Sequence, residues 1–228
     1  MPRMTDSSAH PELTRALQAS VEYYGELEPV LGEKQDVTSH RDLLTQGTVG
    51  IVFEHGISII VLVEANHLAS ASVLLRAQFE ALVRALWLHY VADDAWIEKY
   101  FAKIQADPRK DPNISRGMDD MLNDLAEKAD PAIARKLIPL KNGAWGPLNS
   151  YVHTGIHPIV QQHVGYSPDF AIPTLRNSNG LTGMAALLAA DLSGSRPMMM
   201  SVIGIQHAHA DCLPPFNPTP APSAINGA

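Results

Sequence analysis

The stretch ASASVLLRAQFEALVRALWLHYVA, residues 69–92, decides the fold. It contains neither glycine nor proline, and Leu74, Leu75, Phe79, Leu82, Val83, Leu86, Trp87 and Tyr90 fall on nearly every side of a helical period. A helix that is apolar almost all round belongs in the middle of a bundle. The expectation is an all-α, single-domain bundle with this segment as its buried central helix.

Working outward toward the N-terminus, a second apolar pattern runs from residue 39 or 40 to about 68. Its Gly47, Gly50 and Gly56 each cost about 1 kcal/mol relative to alanine in a helix, which points to close helix crossings in preference to a break near 47–50. Before it, Pro11 suits a first helical turn; Leu13, Leu17, Val21, Tyr24 and Leu27 continue the period, and Gly32 closes a helix over 11–31.

On the C-terminal side, Asp93 or Asp94 caps a helix through Ile97, Tyr100, Phe101 and Ile104 that Pro108 ends. A loop at 106–113, a surface helix from 115 or 116 to 129, and a turn from Pro131 through Leu137 follow. Glycines and prolines then make 141–169 read as irregular and loop-rich, with short turns at 147–153 and 156–164. Residues 180–192 and 198–210 form two closing helices. Residues 214–228, with five prolines, read as a flexible tail beyond a domain spanning 1–213. No repeat and no alternating β pattern supports a sheet.

The 228 residues carry 17 Lys plus Arg against 24 Asp plus Glu, a net charge of −7. Such a balance gives no overall positive field for nonspecific binding to nucleic acid or to an anionic membrane. The single Cys212 can form neither an internal disulfide nor a thiolate zinc cluster, so a reducing cytoplasm is the expected compartment. The most apolar run, 57–63, is far shorter than the ~20 residues that span a bilayer, and reads as part of a core helix. The first eight residues lack the apolar core of a secretory signal, so export is not expected.

Two polar groupings stand out. Ser72, Arg76, Glu80 and Arg84 lie four residues apart, one line along the central helix. Facing inward, Arg76, Glu80 and Arg84 would form an arginine-lined anion site with Glu80 orienting the guanidinium groups; facing outward, they would be a solvated ion-pair row. The second grouping is WGPLNSYVHTGIHP, residues 145–158. There His153 has the chemistry of a general acid or base, with Tyr151 and Ser150 as nearby hydroxyls. His153 and His157 have a metal-ligand spacing, but Gly155 and Pro158 interrupt it and no glutamate follows His153. Glu64 and His67 give one Glu-x-x-His pair where a di-metal bundle needs two. No metal or other cofactor is expected, and no serine-hydrolase, kinase or dinucleotide signature occurs.

These two groupings resemble an uncharacterised bacterial all-helical family. Its A-x-x-L-x-R-x-x-x-E-x-x-x-R-x-x-W-L helix is matched by Ala71, Leu74, Arg76, Glu80, Arg84, Trp87 and Leu88, and its Y-V-H-x-G turn by Tyr151, Val152, His153 and Gly155. More distantly, an R-x-x-x-E helix with a later histidine is similar to the HEPN superfamily, many of whose members are metal-independent ribonucleases. Those nucleases place an arginine four to six residues before the histidine, where this chain has Asn149, Leu148 and Pro147. Two functional expectations result. One is a pocket for a small anionic ligand or RNA phosphate built from Arg76, Glu80, Arg84, Tyr151 and His153. The other is a noncatalytic helical module, dimeric, in which the same residues form a structural network.

Overall fold

The computed structural model describes residues 10–32, 39–106 and 116–215. Within them the chain forms nine α-helices and no strand: α1 Pro11–Leu31, α2 His40–Glu64, α3 Leu68–Tyr90, α4 Asp94–Ala106, α5 Met118–Lys128, α6 Pro131–Val152, α7 Ile156–Val164, α8 Pro168–Leu192 and α9 Arg196–Ala208. A 3-10 turn, Ala210–Cys212, follows. The all-α bundle and its central helix are as the sequence implies. Helix α3 buries Leu75, Phe79, Leu82, Val83 and Leu86 and packs against α2, α5, α6 and α8. Helix α8 shares the centre, burying Leu175, Leu181 and Leu188 while touching α1, α2, α3 and α9.

Local chemistry fixes several helix ends. The Ser39 hydroxyl accepts the Asp42 amide at 3.1 Å at the start of α2, and Asp130 accepts the Ala132 amide at 2.8 Å at the start of α6. Arg41, also at the start of α2, closes the open end of the α2–α3 hairpin. Its guanidinium donates to the carbonyls of Leu88 and Ala92 at the end of α3 and to the Asp94 carboxylate at the start of α4.

Three expectations change. Residues 141–152 are not loop: α6 runs unbroken through Pro139, Gly143, Gly146 and Pro147. Ala134, Leu137, Leu148 and Tyr151 form a buried stripe on it, and packing against α3 and α5 outweighs the poor intrinsic propensity. Helix α8 likewise begins at Pro168 rather than near 180, passing through Pro173. Finally, of the three glycines in α2, only Gly56 marks a close approach; a Cβ on Gly47 or Gly50 would meet nothing within 4 Å.

That last point exposes a feature of α2. Among the described residues it is the one helix long and apolar enough to cross a membrane, with mean hydropathy 1.6 and 33% of that window buried. The 57–63 run is only half core: Ile59, Ile60 and Val63 are buried, whereas Ile57 and Val61 are 53% and 56% exposed. Leu43, Gly47, Gly50, Glu54, Ile57, Val61 and Ala65 recur every three or four residues as one exposed stripe. At the C-terminus, Cys212 is buried and Pro214 lies against Gly180, where a Cβ would come within 2.8 Å of its ring. The chain is therefore still packed on α8 at the expected boundary of the tail, most of which, 216–228, lies outside the described residues.

Candidate functional site

Helices α3 and α6 run antiparallel, Phe79 meeting Trp145 at 5.7 Å and Arg76 meeting Asn149. Arg76 is the centre of this seam. Its Nε donates to Glu80 at 2.9 Å, Nη1 donates to Asn149 Oδ1, and the guanidinium lies 4.5 Å over the Trp145 ring. The Arg76 side chain is 19% exposed and that of Glu80 41%, so the pair sits at the rim of the bundle rather than sealed within it. Ser72 leaves the line altogether, buried and bonded to its own helix at the Leu68 carbonyl.

The Tyr-Val-His turn splits its residues. Tyr151 is buried against Phe170, and burial pushes its phenol well above the usual range, so it stays protonated. His153 is exposed as the C-cap of α6. Thr154 then adopts φ 53°, a left-handed conformation uncommon for a β-branched residue. The following Gly155 donates its amide to the Ser150 carbonyl at 2.7 Å, and its Cβ would lie 3.3 Å from Ser150 Cα, so this turn needs a residue without a side chain. The Ser150 hydroxyl accepts the His157 amide at 3.1 Å, tying α6 to α7.

The structure therefore brings Arg76, Glu80 and Asn149 together, one turn from His153. It does not bring in Tyr151, which faces the core. Arg84 is eight residues further along α3, about 12 Å from Arg76 in the direction away from His153. No ion pair or side-chain hydrogen bond engages Arg84 among the described residues. Glu64, the last residue of α2, and His67 just past it are exposed, and no group of three metal-binding side chains assembles among the described residues.

A second polar cluster, unmarked by charge, lies inside the bundle. Tyr24 shares a hydrogen bond with Thr182, and Gln78 Nε2 donates to Thr182 Oγ1 at 3.0 Å and to the Val52 carbonyl at 3.1 Å. Burial pushes the Tyr24 phenol up to about 12 despite that bond to Thr182. Gly56 makes room for all three: its Cβ would fall on the Tyr24 hydroxyl and within 2.8 Å of Thr182 and 2.9 Å of Gln78. Nearby, Asn179 Nδ2 donates to Ser20 at 2.8 Å and to the Cys212 carbonyl at 2.9 Å. The signal in the sequence was Gln78, the one amide on an otherwise apolar face of the central helix. The strongest carboxylate network is also elsewhere. Asp124, 9% exposed, takes Arg116 at 2.6 Å, Lys128 at 2.9 Å and Trp87 Nε1 at 3.0 Å.

Together these features define a helical bundle with a neutral polar layer at its centre and an arginine–glutamate corner at its rim. The chain belongs to DUF6988, a family of unknown function, which it matches over residues 49–215. That span holds α3, the Arg76 corner and the Tyr-Val-His turn. No curated protein and no solved structure gives a significant match.

Proposed function

We propose that this protein is a noncatalytic helical interaction module that pairs with a second copy of itself through the exposed face of α2. One observation carries the reading: α2 presents Ile57 and Val61 more than half exposed on a stripe with open glycines. The stripe is complementary to itself when reversed. Gly47 and Val61 lie seven residues either side of Glu54, and Ile51 and Ile57 lie three either side. An antiparallel pair about a two-fold axis at Glu54 therefore sets Gly47 of each copy against the partner's Val61. Because α2 has 25 residues, about 37 Å of helix, a strip about 10 Å wide offers roughly 370 Å² per copy. Stable interfaces take ~800 Å² per partner, so the pair is weak. The two Glu54 carboxylates meeting at the axis weaken it further. The single, buried Cys212 supports a reducing, cytoplasmic setting for such a module.

Sedimentation equilibrium over a concentration series tests this. The parent protein should dimerise, Val61→Asp should be monomeric with unchanged thermal stability, and Glu54→Gln should pair about tenfold more tightly. A parent protein that stays monomeric at millimolar concentration, or that partitions onto neutral lipid vesicles through α2 instead, overturns the reading.

A second reading has its own observation. Arg76 reaches Asn149, four residues before His153, and this contact supports reading its guanidinium as a stand-in from α3 for the arginine of HEPN-like nucleases. A site for RNA phosphate at this corner would use Arg76 to hold the charge, exposed His153 to transfer a proton, and Arg84 as a more distant anchor. Cleavage of single-stranded RNA that is lost in His153→Ala, with the fold intact, supports it. Equal residual cleavage in parent and variant removes it.

A further inference from the structure

A cleft of about 510 Å³ opens between the N-terminal halves of α1 and α8, beside the 3-10 turn. Its charged lining comprises Glu12 and Arg15 from α1, Asp169 and Arg176 from α8, and Asp211 from the turn. A volume of this size is in the range of small-molecule sites. Elsewhere in the molecule, opposite charges that come close have paired, as Arg41 does with Asp94 at 2.7 Å and Arg116 with Asp124 at 2.6 Å. In the cleft no such pair forms. Among the described residues none of the five makes an ion pair or a side-chain hydrogen bond. Arg176 is half-buried, and its Nε is sealed from solvent with no acceptor. A guanidinium partly removed from water and left without an anion is costly unless a ligand answers it.

The lining also says what kind of ligand would fit. Two guanidinium groups and three carboxylates give the cleft both signs, with one negative charge in excess. A simple anion would answer Arg176 but face three carboxylates, and a simple diamine would satisfy the carboxylates but leave Arg176 unpaired. We propose that the cleft binds a diamino monocarboxylic acid of the size and charge of lysine or ornithine, its carboxylate on Arg176 and its ammonium groups toward Glu12, Asp169 and Asp211. Arginine suits the first contact because its planar fork takes a carboxylate through two parallel hydrogen bonds. This proposal is independent of pairing through α2, which lies outside the lining of the cleft.

Calorimetric titration of the full chain with L-lysine at low salt tests it, with 1,4-diaminobutane and inorganic phosphate as the probes lacking one of the two charges. Lysine should bind about tenfold or more tightly than either. Arg176→Gln should weaken lysine by about tenfold while leaving 1,4-diaminobutane unchanged, and exposed Asp211→Asn, which does not threaten folding, should weaken both. Absence of lysine binding overturns the proposal. So does phosphate binding as tightly as lysine, which would make the cleft an anion site, or lysine affinity that neither substitution alters.

Discussion

Gln78 and Glu80 stand two residues apart on α3 and meet opposite fates. The uncharged Gln78 is fully buried, bridging α2, α3 and α8, whereas the charged Glu80 side chain is 41% exposed and bonds within its own helix. The more conspicuous residue in the sequence is the less consequential one for the fold. The Gln78 Nε2 donors are paired while its buried Oε1 has no partner, and one unpaired amide oxygen costs less than a buried carboxylate, which stays near water unless several cations accompany it. Charge spacing therefore marked the rim, and a single neutral amide marked the centre.

The largest expected effect tests the centre. Gly56→Ala should lower stability by about 3 kcal/mol in urea unfolding, because the new methyl overlaps the Tyr24 hydroxyl and crowds Thr182 and Gln78. A neutral result would mean that the polar layer rearranges freely. Next comes the carboxylate that does have several partners. Asp124→Ala should cost about 2 kcal/mol by taking the acceptor from buried Trp87 Nε1 and from two cations. Burial alone would raise the Asp124 pKa, but the hydrogen bonds from Lys128, Trp87 and Arg116 outweigh it and hold the carboxyl at about 2. The folded value is depressed, so this contribution is present above the unfolded pKa of about 3.9 and is lost as pH falls toward 2. Thermal melts between pH 5 and about 2 should show that slope in the parent and a flatter one in Asp124→Ala.

Smaller effects sharpen the contrast from the exposed side. Gly47→Ala and Gly50→Ala should each stabilise the monomer by about 0.5 to 1 kcal/mol, since nothing occupies the space of the added methyl and alanine is the better helix former. Dilute-solution melting of the two variants checks this, and the opposite sign from Gly56→Ala is the point of the comparison. Glu80→Gln should cost only a few tenths of a kcal/mol, the value of an exposed helical ion pair. A loss of several kcal/mol would return the arginine–glutamate line to the interior and undo the distinction drawn here.

Much of the architecture was legible in the sequence because α1 carries a helical period with recognisable ends and α2 and α3 are long apolar stretches free of proline. The reading failed where proline and glycine sit inside helices held by tertiary contacts. Gly143, Gly146 and Pro147 looked like breaks, but Leu137, Leu148 and Tyr151 bury one face of α6 across them, and that packing is invisible to local propensity. The candidate site was legible as residue types but not as geometry. Arg76 and His153 come within a turn of each other through Asn149, yet Tyr151 turns to Phe170 and Arg84 lies eight residues further along α3, because which face of α6 turns inward depends on its packing against α3 and α5. Glycine was ambiguous for a related reason: Gly47 and Gly56 are identical in the chain, and only one has a tyrosine above it.

Arg41 joins three helix ends, the first turn of α2 and, 47 to 53 residues further along the chain, the last carbonyls of α3 and the first residue of α4. A single side chain holding all three makes their fraying one event instead of three. In hydrogen exchange, the amides around residues 42–45, 88–92 and 95–98 should open together with a shared free energy. Replacing Arg41 by methionine should release them to exchange independently, while protection at the Gly56 layer stays unchanged.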